Sequence, residues 1–432
     1  MRKGSNLLSL LCLLLLNACS VGSKIRRDAQ QQVLQQPVMA PAHVGISIMD
    51  AATGEYLYNY QADKYFVPAS NTKLFTCFAA LRYLGDSLTA LRYVDKGKGV
   101  VEVEGNADPT FLLSEYAFQP AYLFLKQQNK ILLSSTNWKE PALGAGWAWD
   151  DYTSDYMPER SVLPIYGNLA QFQKNTAGIA TIPTGILPAQ LIPADGKFSI
   201  TRSLGSDSFY TVPANKSFQQ STIPFRVGTG AHLAKLLADT LHTTVESPLF
   251  RLERWPDVVT IKSQPTDSVL STMMHRSDNF FAEQLLLMVS NERFAVMNTK
   301  MVVDSLLNSD LNFLPQKPKW VDGSGLSRYN LFTPQDFIAV LQAMKSGYDW
   351  KRITAILPTG NEGTLSGLYT NYAGRIYAKT GTLSNHVALS GYLLTRKGKT
   401  LIFSVLVNAH QRSASEVRKT IEKFLTGLID KY

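Results

Sequence analysis

Phe66-Val67-Pro68-Ala69-Ser70-Asn71-Thr72-Lys73-Leu74 is the stretch on which the fold turns. Ser70 and Lys73 stand three apart, and apolar residues recur behind them at Leu74, Phe75, Phe78, Ala79 and Leu81. That spacing predicts a buried amphipathic helix with Ser70 in its first turn. Residues three apart on a helix share a face, so the hydroxyl and the amine lie side by side. A serine hydroxyl is a weak nucleophile and needs a base within hydrogen-bond reach. A lysine serves as that base only if its pKa falls from ~10.4 toward ~7–8, through burial or a neighbouring cation. A helix N-terminus adds dipole stabilisation for the negative charge that develops.

Two more motifs follow in order. Ser70-x-x-Lys73 is the only S-x-x-K in the chain, Ser277-Asp278-Asn279 the only S-D-N, and Lys379-Thr380-Gly381 the only K-T-G. Taken singly, Ser70 reads as a helix cap, Lys73 as a solvated helix residue and Lys379 as a strand-edge charge. Together they make a catalytic set. Ser277 can relay a proton between Lys73 and a leaving amine. Asn279 can hold Lys73 and a substrate amide together. Lys379, in a strand before Thr380-Gly381-Thr382, can bind a substrate carboxylate and supply the cation that depresses Lys73. Gly381 has no side chain, so a substrate can lie against that strand edge.

Outward from these motifs the chain divides. Val44–Met49 and Tyr56–Tyr60 read as strand, turn, strand. From 83 to 255 short β-like runs alternate with Pro- and Gly-rich turns, at Gly99–Gly105, Ile131–Ser135, Ile179–Thr184 and Phe198–Thr201. One helix is expected at Ala231–His242. Helices resume at Ser268–Met274 and Asn279–Val289. Ala388–Thr395 and Thr400–Asn408 form a hairpin of central strands, and a last helix covers Ala414–Ile429. The expected fold class is α+β or α/β, an antiparallel sheet flanked by helices. A large, mostly β insertion separates the first and second motifs. Residues 43–82 and 256–432 make the catalytic domain and 83–255 the accessory region.

The N-terminus is an address. Arg2 and Lys3 precede Leu7–Leu16, which is apolar except for Ser9 and too short to span a bilayer. Leu16-Asn17-Ala18-Cys19 resembles a bacterial lipobox, which makes Cys19 the lipid attachment site. Ordinary cleavage near Ala18 is the alternative. Residues 1–19 are read as signal peptide with lipobox and 20–42 as a tether, with a short helix around Ile25–Gln36. The body is therefore exported to the bacterial cell envelope, as a periplasm-facing membrane lipoprotein.

Composition sets the outer limits. The 432 residues, 45% hydrophobic and 18% charged, exclude a disordered chain, a fibre and a multi-span membrane protein. The net charge of +9 comes without a basic tract interleaved with aromatics, which excludes a nucleic-acid partner. Of three cysteines only Cys77 lies in the body, on the apolar side of the nucleophile helix, where it reads as inert core. No H-E-x-x-H or G-x-S-x-G occurs, against a zinc metalloprotease or an α/β-hydrolase. Gly398-Lys399-Thr400 resembles the end of a phosphate loop, but Leu393 stands where the first glycine is needed. His275 reads as a structural helix residue.

The trio is the signature of penicillin-binding proteins and class A β-lactamases. With Phe66–Leu74, Ser277–Glu283, Asp322–Arg328, Leu357–Gly360, Gly363–Leu365, Ala378–Leu383 and Leu389–Tyr392, the chain resembles the low-molecular-mass class C penicillin-binding proteins. These form the D-alanyl-D-alanine carboxypeptidase/endopeptidase family. Residues 43–82 and 265–410 carry the likeness. The separation of 207 residues from Ser70 to Ser277 matches that family's large insertion, whereas class A β-lactamases have a few dozen. The resemblance implies a β-lactamase-like, transpeptidase-like fold. It implies cleavage of D-Ala–D-Ala or D-Ala–diaminopimelate bonds in peptidoglycan stem peptides, and β-lactams as acylating inhibitors. Carried over, Ser70 is the nucleophile, Lys73 its base, and Ser277 and Asn279 the second-motif partners. Lys379, Thr380, Gly381 and Thr382 form the carboxylate site, and the N–H groups of Ser70 and Thr382 the oxyanion hole. No metal or organic cofactor is implied.

Two rivals stand beside this. A β-lactamase is disfavoured because no Glu occurs between Glu292 and Glu362, where class A enzymes carry the deacylating one. A non-catalytic peptidoglycan-binding envelope lipoprotein is disfavoured because a binder has no need of Ser70 and Lys73.

Overall fold

The computed structural model describes residues 21–175, 178–184, 189–191, 199–212, 219–252 and 257–432. The leader with Cys12 and Cys19, the first residue of the expected Phe198–Thr201 run and the 255/256 boundary lie outside the described residues.

Helix α1 (residues 21–29) runs on into one π turn, Gln30–Leu34. Its apolar residues Ile25, Ala29 and Val33 recur every four positions, so they share a face and are buried. They pack with Phe424, Leu425 and Leu428 of the last helix, where Asp28 pairs with Lys431 at 2.8 Å. The expected tether over 20–42 is therefore corrected: from residue 21 the chain is docked on the body. The glutamine run hides this in the sequence, because its polar residues outnumber the narrow apolar stripe. Ile25→Ala is expected to cost about 2–4 kcal/mol in urea unfolding of the protein. No loss would return the segment to a tether.

Strands β1 (His43–Asp50) and β2 (Tyr56–Tyr60) pair antiparallel, and the 3₁₀ turn Ala69–Thr72 opens α2 (Lys73–Tyr83). The accessory region follows with β3 (Ser87–Asp95), β4 (Val100–Gly105), α3 (Pro120–Lys126) and β5 (Lys130–Ser134). Then come β6 (Leu169–Asn175), β7 (Gly178–Ile182), β8 (Ala189–Leu191), β9 (Ser199–Arg202), β10 (Phe209–Val212) and β11 (Gln219–Pro224). It closes with α4 (Gly230–Leu241), β12 (Thr244–Glu246) and β13 (Val259–Pro265). The main accessory sheet has the order β12-β5-β4-β3-β13, and two three-stranded sheets run β11-β6-β7 and β8-β10-β9.

Two features differ from the expected boundaries. β13 lies beyond 255 yet pairs antiparallel with β3, so the accessory sheet closes only at Pro265. Its apolar residues Val101, Val103, Ile131 and Leu133 share one core cluster with Leu74 and Phe75 of α2. The accessory region is thus fused to the catalytic helices through a common interior.

The chain returns through α5 (Thr266–Arg276), α6 (Asn279–Phe294), α7 (Thr299–Asn308), α8 (Pro334–Gly347) and α9 (Trp350–Ile356). It ends in β14 (Ile376–Leu383), β15 (His386–Leu394), β16 (Thr400–Asn408) and α10 (Ala414–Lys431). The catalytic sheet has the order β14-β15-β16-β1-β2, antiparallel throughout. Side chains alternate across it. Ala388, Tyr392, Ile402 and Leu406 face the core of α2, α6 and α8. Val387, Leu389, Leu401, Phe403, Val405 and Val407 face α1 and α10. Both faces are buried, which is why β15 and β16 read as near-continuous apolar runs. Among the described residues no helix is long and apolar enough to cross a membrane.

Candidate active site

The nucleophile turn is held from below and from the side. Ala69 takes φ +48, a left-handed conformation costly for a residue with a Cβ. Thr72 Oγ1 donates to Ala69 O at 2.9 Å and closes the turn. Asn71 Nδ2 donates to Ser390 Oγ at 2.7 Å, and Ser390 Oγ to Ser404 Oγ at 2.8 Å, which ties the turn to β15 and β16. From the other side, Gly325 at φ +80 lies so close that a Cβ would sit 1.9 Å from Ala69 O. Only glycine fits there.

Lys73 is fully buried beneath the half-buried Ser70. Its Nζ donates to Ser70 Oγ at 3.0 Å, Asn279 Oδ1 at 2.7 Å and Ser324 O at 2.8 Å. Two of these acceptors are carbonyl oxygens, which cannot donate in return. When Lys73 is neutral they keep its two N–H groups, and the amine lone pair points at the Ser70 hydroxyl. Burial pushes the Lys73 pKa down to about 8, against the opposing pull of the Asp278, Asp322 and Glu283 carboxylates. Such an amine can take a proton near neutral pH.

The S-D-N motif spans a corner between two helices. Ser277 ends α5 in a left-handed conformation, φ +59. Asp278 caps α6 by accepting from Phe281 N at 2.9 Å, and Asn279 is the first residue of that helix. Burial raises the Asp278 carboxyl above its ordinary range. Asn279 gives its nitrogen to Tyr156 O in the accessory region at 3.0 Å. One of its two N–H donors is used there, and the other is left for the expected contact with a substrate amide. Ser277, expected to relay a proton between Lys73 and a leaving amine, accepts from Lys379 Nζ at 2.8 Å.

Lys379, also fully buried, donates to Thr380 O at 2.7 Å as well. Burial, with Lys73 and Arg418 nearby, holds its pKa well below the ordinary lysine value. The cation–cation effect expected at Lys73 thus registers at Lys379. β14 is the edge strand, and its Gly381 meets the nucleophile turn: a Cβ there would stand 2.7 Å from Pro68 O and 3.1 Å from Ser70 N. A ligand on this edge has Ser70 on one side and Lys379, Thr380 and Thr382 along its length.

Several site residues were not assigned roles by sequence reasoning. The loop Asp322–Arg328 and the segment to Glu283 stood out as family segments, without roles. Asp322 accepts from Gly325 N, Ser327 N and Asn330 Nδ2 at 2.7–2.8 Å and from Trp147 Nε1 at 3.0 Å, folding the loop over the nucleophile turn. Glu283 accepts from Ser324 N at 2.8 Å, so it sets the carbonyl that Lys73 uses. Burial and the Asp322 charge raise the Glu283 pKa, while Arg160 opposes them. Arg160, from the accessory region, pairs with Glu140 at 3.0 Å and approaches Glu283 at 3.5 Å. Arg418 carried no signal, being one cation on an amphipathic helix.

Comparisons with known proteins agree on one family. A model of the D-Ala-D-Ala carboxypeptidase 3 (S13) family matches residues 27–187 and 229–428. The chain is 27% identical to the D-alanyl-D-alanine carboxypeptidase of Actinomadura sp. strain R39, over 91% of this chain and 82% of that one. It is 24% identical to the D-alanyl-D-alanine carboxypeptidase DacB of Haemophilus influenzae, over 87% and 88%. Among solved structures, penicillin binding protein 4 from Haemophilus influenzae superposes with TM-score 0.71 at 20% identity, covering 94% of this chain and 98% of that one. Bd3459, a predatory peptidoglycan endopeptidase from Bdellovibrio bacteriovorus, gives TM-score 0.52 at 15% identity over 90% and 92%.

Proposed function

The chain belongs to the D-Ala-D-Ala carboxypeptidase 3 (S13) family, and from that premise we propose that it is a serine DD-peptidase of peptidoglycan. It acts on D-Ala-D-Ala ends of stem peptides, as a low-molecular-mass class C penicillin-binding protein. The observation that carries this is the buried Lys73 amine, aimed at Ser70 by two carbonyl acceptors.

Ser70 Oγ attacks the scissile carbonyl and its proton passes to Lys73. The oxyanion lies at the N–H groups of Ser70 and Thr382, each worth about 3–4 kcal/mol by analogy with other acyl-transfer sites. The carboxylate beyond the scissile bond lies along Lys379, Thr380, Gly381 and Thr382. The proton taken by Lys73 passes on to Ser277, which gives its own hydroxyl proton to the departing amine and so ends the step neutral; Lys379 Nζ, 2.8 Å from Ser277 Oγ, holds that hydroxyl in place. Water then releases the acyl group from Ser70. The same site accepts D-Ala–diamino acid crosslinks, and the likeness to an endopeptidase supports that second substrate.

Residues 1–19 are proposed as a signal peptide with lipid attachment at Cys19, facing the periplasm. α1 is docked from residue 21, and Gly22 lies against Leu57 of β2. β2 is the edge opposite β14, so the first described residues lie at the far edge of the sheet from Ser70. The fused accessory region, 83–265, supplies one wall of the site through Trp147, Tyr156 and Arg160.

Intact mass after incubation with benzylpenicillin tests the reading. One persistent adduct on the Ser70 peptide is expected. An adduct lost within seconds, with penicilloate accumulating, would make the protein a β-lactamase, and no adduct at all a non-catalytic binder. The same measurement on chain extracted from membranes reads a diacylglyceryl group at Cys19 or its absence.

A further inference from the structure

Arg418 lies on the second turn of α10, half-buried, and crosses to β14, where its guanidinium donates to Thr382 Oγ1. The two carboxylates on its own stretch of helix are committed elsewhere. Glu416 accepts from Ser413 Oγ at 2.7 Å, and Glu422 accepts from Tyr369 N. Among the described residues no carboxylate forms an ion pair with Arg418 or with Lys379. Arg418 is near enough to Lys379 to help depress its pKa.

Two cations therefore flank the edge of β14, Lys379 on the face toward Ser70 and Arg418 beside Thr382 on the face toward α10, with no ion-paired carboxylate at either. A lysine is a point charge on this edge, while a guanidinium offers a planar fork that matches a carboxylate in two parallel bonds. Arg418 spends one of its five N–H donors on Thr382, and the others remain for a ligand.

Resting on the DD-peptidase reading, we propose that Arg418 is a specificity-determining residue, which reads the carboxylate on the leaving group through Thr382. The group it recognises is a carboxylate on the carbon next to the scissile nitrogen, as in a C-terminal D-amino acid. A leaving group with that carboxylate blocked as an ester or amide loses the contact.

The test compares two thioesters with one scissile bond: an N-acyl-D-alanyl-thioglycolate and its methyl ester, each followed by thiol release. Arg418→Gln is expected to lower kcat/KM for the free acid by ~10–100-fold, the range of a charge-assisted contact. Turnover of the methyl ester should stay unchanged, which also shows that the variant is folded. Arg418→Lys should recover part of the loss. An acid-to-ester ratio that does not move in Arg418→Gln would overturn the assignment, as would equal losses on both. Wild-type protein inert toward both thioesters and toward benzylpenicillin would instead bring down the DD-peptidase reading itself.

Discussion

Ser70→Ala is expected to abolish acylation, lowering turnover of D-Ala-D-Ala peptides by about 10⁴-fold or more, because no other group can form the covalent intermediate. The fold should survive. Ser70 Oγ accepts one hydrogen bond, from Lys73, and Lys73 keeps Asn279 and Ser324 when it is gone. The loss is one contact at a half-buried position, about 1 kcal/mol. Two measurements separate the effects: the penicillin adduct by mass, and the thermal midpoint. An absent adduct with a midpoint within a few degrees of wild type is the expected pair. Unchanged turnover would overturn the assignment of Ser70.

The second large effect is at Lys73, and it carries a pH signature. Lys73 works as a base only when neutral. With burial holding its pKa at about 8, the neutral fraction rises as pH climbs through that value and falls below it. At pH 7 about one molecule in ten is ready, and each further unit down costs about tenfold. The rate of acylation by benzylpenicillin should therefore rise from pH 6 and level off above about 8. Lys73→Met should remove both the limb and ~10²–10⁴-fold of the rate. It leaves Asn279 Oδ1 and Ser324 O without their donor, so some stability is lost too. A wild-type profile flat from pH 6 to 9 would exclude Lys73 as the base.

Much of this molecule is legible in one dimension. Ser70 and Lys73 are joined by local helical spacing, which needs no distant contact. The hairpin of β15 and β16 shows because both its faces are buried, so nearly every residue is apolar. The corner at Ser277-Asp278-Asn279 shows because a helix that ends and another that begins leave a break in periodicity, and Asp278 is a good cap. The helix of α1 was expected, but its docking on the body escaped notice because only three apolar residues mark its face. β13 escaped because its partner β3 lies far back in the chain.

By itself the sequence singled out the groups proposed to carry the chemistry and the short segments that hold them, because motif spacing and side-chain period are local properties. Tertiary structure alone decided how those groups are wired. Ser277 pairs with Lys379, Asn279 spends one N–H on Tyr156, Glu283 sets the Ser324 carbonyl, and Arg418 reaches Thr382. Each link joins residues far apart in the chain, and at the catalytic lysine the link is felt as burial. A pKa of about 8 at Lys73 is the work of everything packed around it, and no stretch of sequence states that.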